Sequence, residues 1–272
     1  ASGPTLKIAN KLNIPTLLQE QNSYAGVTNK LLAKKAQTIC TAYDNMDKFF
    51  ENKHIIKTGN PIRRSIALIE KDKDFLQKNA GKNFQIKENL KTVLVIGGSL
   101  GARTINNSIE KHLDYFLDNN IQLIWQTGKF YYKGIEERVN EKYKNNDKFN
   151  ELIRIREFIK EMDEVYSVAD IIISRAGATS ISELCVVGKP AIFVPSPNVA
   201  EDHQTKNAMA LVNKKAALMV KDIDMEKDIV EVLDKVLKDE DLRKEMSENI
   251  KQLGIVDADE RIVNEVFKIV GK

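Results

Sequence analysis

The run from Ser174 to Glu183 (SRAGATSISE) constrains this chain most. Ahead of it, Ala169 to Ile173 is a short β-branched apolar run of the kind buried on both faces of a parallel sheet. Behind it, Ile181 and Leu184 open a helical apolar face. Between them a loop of small residues turns strand into helix, and Gly177 lets the backbone approach a ligand closely. A helix starting near Thr179 leaves its first N–H groups without intrahelical partners, and with the helix dipole these favour phosphate oxygens. Glu183, about one turn inside, is placed to accept bonds from ribose hydroxyls. The same residues also fit an ordinary joint, with Thr179 or Ser180 as the N-cap and Glu183 as a solvated first-turn acid. The rest of the chain must decide between the two.

Apolar runs alternate with helical patterns along the whole sequence, which implies parallel βαβ units and an α/β fold class. The first series reads as helix 5–12, strand 16–19, helix 26–36, strand 38–41, short helix 44–50 and strand 55–57. Residues 65–89 are rich in Lys, Asp and Asn, and read as a linker with one helix. A second series begins at Thr92, with strands expected at 93–96, 122–126, 153–156, 170–174, 191–194 and 217–220. Six strands make a complete doubly wound domain. The three before Gly59 bury too little surface for one, so they are expected to be the later part of an incomplete domain. The expected division is therefore 1–64 for that N-terminal domain, 65–91 for the linker, 92–250 for the nucleotide-binding domain, and 251–272 for a C-terminal helix returning to the first.

Charge narrows the partners. Forty-two basic and 39 acidic residues are mixed along the chain for a net +3, which gives no basic stripe for nucleic acid. Cys40 and Cys185 lack metal or disulfide spacing, and His54, His112 and His203 are scattered. The D-x-D matches at Asp72, Asp222 and Asp257 sit in charged segments rather than after buried strands, a poor setting for a metal. No window is long and apolar enough to span a bilayer. Trp125 reads as a core aromatic.

Other polar clusters follow expected strands. Gly97 to Arg103 (GGSLGAR) leaves a strand and opens a helix, so its amides and Ser99 can hold a phosphate. It is neither a good G-x-G-x-x-G nor a P-loop, and a glycine-rich turn needed only for packing is the alternative. Asp202 to Asn207 (DHQTKN) follows a strand and a proline turn, where the amides of Gln204 and Asn207 can read sugar hydroxyls or merely open a helix. Gln19 to Gly26 (QEQNSYAG) and Gly59 to Arg63 (GNPIR) complete the set, each also readable as a polar turn.

In this order and spacing, E-Q-N with A-G-x-T-N, G-N-P-x-R, G-G-S-x-G-A-R, and x-R-x-G-A-x-x-x-S-E with D-H-Q-x-x-N-A, the chain resembles the MurG family of cell-wall glycosyltransferases over nearly its whole length. The resemblance implies a GT-B fold, two Rossmann-like doubly wound parallel-sheet domains facing a cleft, the first incomplete here. It implies transfer of N-acetylglucosamine from UDP-N-acetylglucosamine to the C4 hydroxyl of the N-acetylmuramyl unit of lipid I, giving lipid II in peptidoglycan synthesis. No cofactor or metal is implied, and the enzyme would work as a peripheral protein on the cytoplasmic face of the membrane. Carried over by motif, Arg63 and Ser99 would meet the diphosphate and the backbone at Ile159 the uracil. Ala178, Thr179, Ser180, Ile181 and Ser182 would offer amides to phosphate and sugar. Glu183 would bind ribose, Gln204 the sugar hydroxyls, and Asn22 would line the cleft from the N-terminal side.

Two departures stand out. Gln19 replaces a histidine frequent in the family, and His203 replaces a second glutamine. The family's glycine-rich loop, the histidine proposed as its base, and its membrane patch are expected ahead of residue 1, so no residue here is assigned as catalytic. Alternatives remain an epimerase or another transferase using the same donor, a nucleotide-sugar-binding module without turnover, and nicotinamide-dependent oxidoreduction resting only on the Gly97–Gly101 turn.

Overall fold

The computed structural model describes residues 2–50 and 54–271. The first unit contains α1 (Ser2–Lys11), β1 (Leu17–Glu20), α2 (Val27–Ala33), β2 (Thr38–Thr41) and β3 (Ile55–Lys57), with parallel strands in the order β1-β2-β3. β2 is central and buried at every position, and a small cluster around Leu18, Leu32, Ile39 and Phe50 forms its core. The short helix expected over 44–50 is only a 3₁₀ turn at Asp47–Phe49, because Asn45 adopts a left-handed φ of 58° that diverts the backbone from a helical path. Residues 51–53, inside the expected first domain, lie outside the described residues, as do Ala1 and Lys272.

The segment expected as a one-helix linker holds two, α3 (Arg64–Ala67) and α4 (Lys73–Asn83). Ile66, Ile69, Leu76, Ala80 and Phe84 bury their apolar faces against the second sheet. Lys, Asp and Asn hide this pattern in the sequence by covering the solvent side of the same turns.

The second unit runs β4 (Thr92–Ile96), α5 (Arg103–Lys111), α6 (Leu113–Asp118), β5 (Gln122–Gln126), α7 (Tyr132–Lys142), α8 (Asp147–Leu152), β6 (Ile153–Arg156), α9 (Met162–Val168), β7 (Ile171–Ser174), α10 (Ala178–Val187), β8 (Ala191–Phe193), α11 (His203–Val212) and β9 (Leu218–Met219), then α12 (Met225–Lys238) and α13 (Glu240–Lys251). Its strands are parallel in the order β6-β5-β4-β7-β8-β9. This is the doubly wound order 3-2-1-4-5-6, which reverses direction between β4 and β7. Side chains alternate between the two faces: Val93, Val95, Ile171 and Ile173 enter one cluster, and Leu94, Ile96 and Ile172 the other. Each of the three β7 isoleucines is fully buried. That is worth about 1.5–3 kcal/mol apiece, more than the whole spread of strand propensities.

The chain crosses between the units twice. It leaves the first at Gly59–Arg63 and returns after α13, where α14 (Ala258–Val270) brings Glu265 to 4.0 Å from His54 beside β3.

Candidate nucleotide-sugar site

Because the strand order reverses between β4 and β7, the turns leaving those two strands diverge and open a crevice. A cavity of about 490 Å³ occupies it, lined by the Gly97–Thr104 turn, by Ser174, Arg175, Gly177 and Ser180, and by the loop from Ser196 to Gln204. The β4 turn is held by backbone contact. Gly101 has a φ of 88°, and a Cβ there would lie 2.2 Å from the Thr127 carbonyl oxygen. Gln126, at the end of β5, donates from Nε2 to the Gly98 carbonyl (3.2 Å) and accepts at Oε1 from the Ile159 N–H (2.8 Å).

The β7 turn delivers the start of α10. Gly177 is the N-cap, in an extended conformation with no side-chain cap bond, so the helix begins at Ala178. This corrects the expected start near Thr179 and the alternative of Thr179 or Ser180 as cap. The first intrahelical bond runs from the Ile181 N–H to the Gly177 carbonyl (2.9 Å), which leaves the amides of Ala178, Thr179 and Ser180 as the orphan donors. Beside them, Arg175 donates from Nη1 to the carbonyls of Val194 (2.9 Å) and Pro195 (3.1 Å) and to Asp222 (2.5 Å). Asp222 also accepts from the Thr104 hydroxyl (2.8 Å), so three loops around the cavity are tied together. Asp222 is thereby committed to an ion pair. Among the described residues no three His, Cys, Asp or Glu side chains converge as metal ligands.

On the far side, Glu201 (φ 55°) and Asp202 (φ 51°) are consecutive left-handed residues. Such conformations cost about 1–3 kcal/mol each and persist only where the surroundings over-determine them. They turn the chain into α11 so that Gln204 faces the cavity, its Oε1 accepting from the Ser196 N–H (2.9 Å).

Ser180 and Gln204 thus share the cavity, with the Ala178 and Thr179 amides at its wall. Ser99 is exposed on the β4 turn, and its carbonyl accepts from the Lys129 N–H (3.2 Å). Ile159, expected to meet the uracil through its backbone, is buried with its N–H given to Gln126. Ile181 and Ser182 are not brought to the cavity. They line a separate crevice between the two units with Tyr43, Asn60 and Cys185, where the Ser182 hydroxyl accepts from Asn60 (3.1 Å).

Arg63 and Glu183, expected on different parts of the ligand, are paired with each other. Nε to Oε1 is 2.7 Å and Nη2 to Oε2 is 2.6 Å, a bidentate fork. Glu183 is buried, whereas Arg63 is about half exposed. The carboxylate raises the Arg63 guanidinium above its ordinary value, and burial, followed by the Glu183 charge, raises the adjacent Tyr166 phenol. Two lone pairs on the carboxylate remain for hydroxyl donors.

Asn207, read from sequence as a group for sugar hydroxyls, is fully buried. It accepts from the Ser23 N–H (2.8 Å) and donates to Asn22 Oδ1 (3.0 Å) and the Ala176 carbonyl (3.4 Å). Asn22, expected to line the cleft from the N-terminal side, is held by a side chain of the opposite unit. Sequence reading missed Thr104, Gln126 and Asp222, whose partners lie 28–118 residues away. Arg175 carried a signal, its place in the x-R-x-G-A motif.

Residues 92–262 match the family described as glycosyltransferase family 28 C-terminal domain. The chain is 50% identical over 99% of its length to a Bacteroides thetaiotaomicron "UDP-N-acetylglucosamine--N-acetylmuramyl-(pentapeptide) pyrophosphoryl-undecaprenol N-acetylglucosamine transferase", of which it covers 70%. The Parabacteroides distasonis enzyme of the same name is also 50% identical, with 71% of it covered. Among solved structures, Acinetobacter baumannii MurG aligns over 98% of this chain and 70% of its own with a TM-score of 0.77 at 28% identity. A Neisseria meningitidis UDP-GlcNAc 2-epimerase bound to UDP-GlcNAc shares the fold, with a TM-score of 0.68 at 16% identity over 98% of this chain and 73% of its own. The two sheets facing a cleft form a GT-B fold, and this chain belongs to the MurG family of N-acetylglucosamine transferases.

Proposed function

We infer that the chain transfers N-acetylglucosamine from UDP-N-acetylglucosamine to the C4 hydroxyl of the N-acetylmuramyl unit of lipid I, giving lipid II and UDP. The observation that carries the donor assignment is the cavity at the strand-order reversal, where a glycine turn, the uncapped start of α10 and Gln204 meet. The diphosphate lies against the amides of Ala178, Thr179 and Ser180, with Ser99 and Arg63 at its edge. The uracil meets the Ile159 backbone, the ribose bonds to Glu183, and the sugar hydroxyls bond to Gln204. Asn22 faces the sugar from the other unit. Ile181 and Ser182 support the helix start from the crevice behind it.

The reaction is an inverting displacement, in which the acceptor hydroxyl attacks the anomeric carbon as the bond to UDP breaks. Charge grows on the leaving diphosphate. Fixed amides and a guanidinium stabilise that charge without reorganisation, so we propose that no divalent cation is needed. Closing the cleft aligns the two substrates and excludes water.

The acceptor's undecaprenyl chain resides in a bilayer, so we propose peripheral work at the cytoplasmic membrane face. No helix among the described residues is long and apolar enough to cross a membrane. Nucleotide-sugar turnover with purified lipid I and the full-length protein tests the reading: labelled lipid II forms, and EDTA leaves the rate unchanged. UDP-N-acetylglucosamine converted to its 2-epimer, with no lipid product, would overturn it.

A further inference from the structure

Asn207 joins three segments that are distant in the chain. Its Oδ1 accepts the Ser23 N–H and its Nδ2 reaches Asn22 Oδ1, both in the loop after β1. The same Nδ2 donates to the carbonyl of Ala176, two residues ahead of α10. Asn207 also lies three residues after Gln204, on the same helix. Both amide hydrogens and the carbonyl oxygen are therefore used at a site closed to water.

The loop on the other side is equally constrained. The buried Glu20 carboxylate accepts from the N–H groups of Asn22 (3.1 Å) and Gly26 (2.9 Å) and from Asn29 Nδ2 (2.9 Å). Tyr24 in that loop receives Lys206 of α11 on its ring face, 3.4 Å from the centroid. Glu20 holds the loop within its own unit, and Asn207 holds it to the other.

We propose that Asn207 is a positioning residue that sets the orientation of the two units by fixing Asn22 against the turn that precedes α10. Asn207 touches no substrate. It acts through Asn22 on one side and through the Ala176–Ala178 backbone on the other. The proposal rests on the transferase reading for its kinetic consequence, but its geometric consequence stands apart from it.

The test uses the full-length protein with Asn207→Ala, Asn22→Ala and the double variant. Spin labels at Lys35→Cys and Lys144→Cys report the distance between units, since the native Cys40 and Cys185 are buried. Asn207→Ala is expected to broaden the distance distribution and to lower kcat about tenfold, while the Kd for UDP changes less than about threefold. The double variant is expected to be within about twofold of the worse single one, because both remove one shared contact. Unchanged distances, or losses that multiply, would overturn the proposal. If Asn207→Ala does not fold, Asn22→Ala removes the same bond from the loop side and is judged by the same distances. Failure of the wild type to make lipid II would sink the transferase reading, and the distance measurement would still judge Asn207.

Discussion

The two units solve the placement of polar loops in different ways. In the second, a six-stranded sheet is covered on both faces by large apolar clusters, and the turns that line its cavity are fixed by backbone contact at spots where no Cβ fits. In the first, a three-stranded sheet rests on one small cluster, and its cleft loop is held by side chains, with Glu20 below and Asn207 across the gap. The turns of the second unit are therefore held by their own backbone, while the loop of the first is held partly by a side chain of the second.

Substituting one glycine in each unit should separate the two designs most sharply. Gly101→Ala puts a Cβ 2.2 Å from a carbonyl oxygen in a left-handed residue, and is expected to destabilise by at least about 3 kcal/mol in urea unfolding. Gly26→Ala meets nothing closer than 3.9 Å at an ordinary φ, and should cost less than about 1 kcal/mol. Equal costs would remove the distinction.

The Arg63–Glu183 fork spans both crossing and core, and its halves should respond unequally. Arg63→Ala strands a buried carboxylate and is expected to cost about 3 kcal/mol, whereas Glu183→Gln leaves a half-exposed guanidinium that water can reach and should cost about 1 kcal/mol. Both should weaken UDP-N-acetylglucosamine binding about tenfold in calorimetry. An unchanged affinity in Glu183→Gln would remove the ribose role.

Thiol labelling compares the units directly. Burial pushes Cys40 up to about 11 and Cys185 up to about 12, so either reacts at pH 8 only after local opening. Cys40, on the small sheet, is expected to react at least about tenfold faster below the unfolding transition, because fewer apolar contacts oppose its exposure. Matching rates would mean the units open together.

The smallest effect belongs to the ion cluster between them. Asp44 meets Lys57 at 2.7 Å and Lys214, from the other unit, at 3.2 Å. The hydrogen bond from Lys57 holds its carboxyl below the ordinary 3.8. A lowered pKa contributes stability above the unfolded value that is lost as pH falls through the folded one. Asp44→Asn should thus cost less than about 1 kcal/mol at pH 7, and nothing once the pH is below both values, with the difference shrinking in salt.

The sequence revealed the second unit better than the first because runs such as Ile171–Ile173 are long, β-branched and buried on both sides. That left little choice of structure, and the expected bounds of that strand miss by one residue at Asp170. The turn at Asn45 and the helices of residues 64–83 were hidden, since a single left-handed residue and a polar solvent face both mask the underlying pattern. At the site, Ser180 and Gln204 were legible because each follows a strand that ends at the crevice. Asp222 and Gln126 were not, for their roles exist only through partners distant in the chain. For Asn207 the sequence leaves open a sugar contact or a plain helix start, because it marks an amide as polar and says nothing of whether water or protein satisfies it.

Where the chain passes from one unit to the other, the outgoing and returning segments lie against each other. A Cβ on Gly59 would come within 2.9 Å of the Ile255 side chain, and one on Gly254 within 2.9 Å of the Cys185 carbonyl. A side chain at Gly59 would push the returning segment of chain away from the outgoing one, and a side chain at Gly254 would push it off α10, so the spacing of the crossing depends on two positions that carry no Cβ.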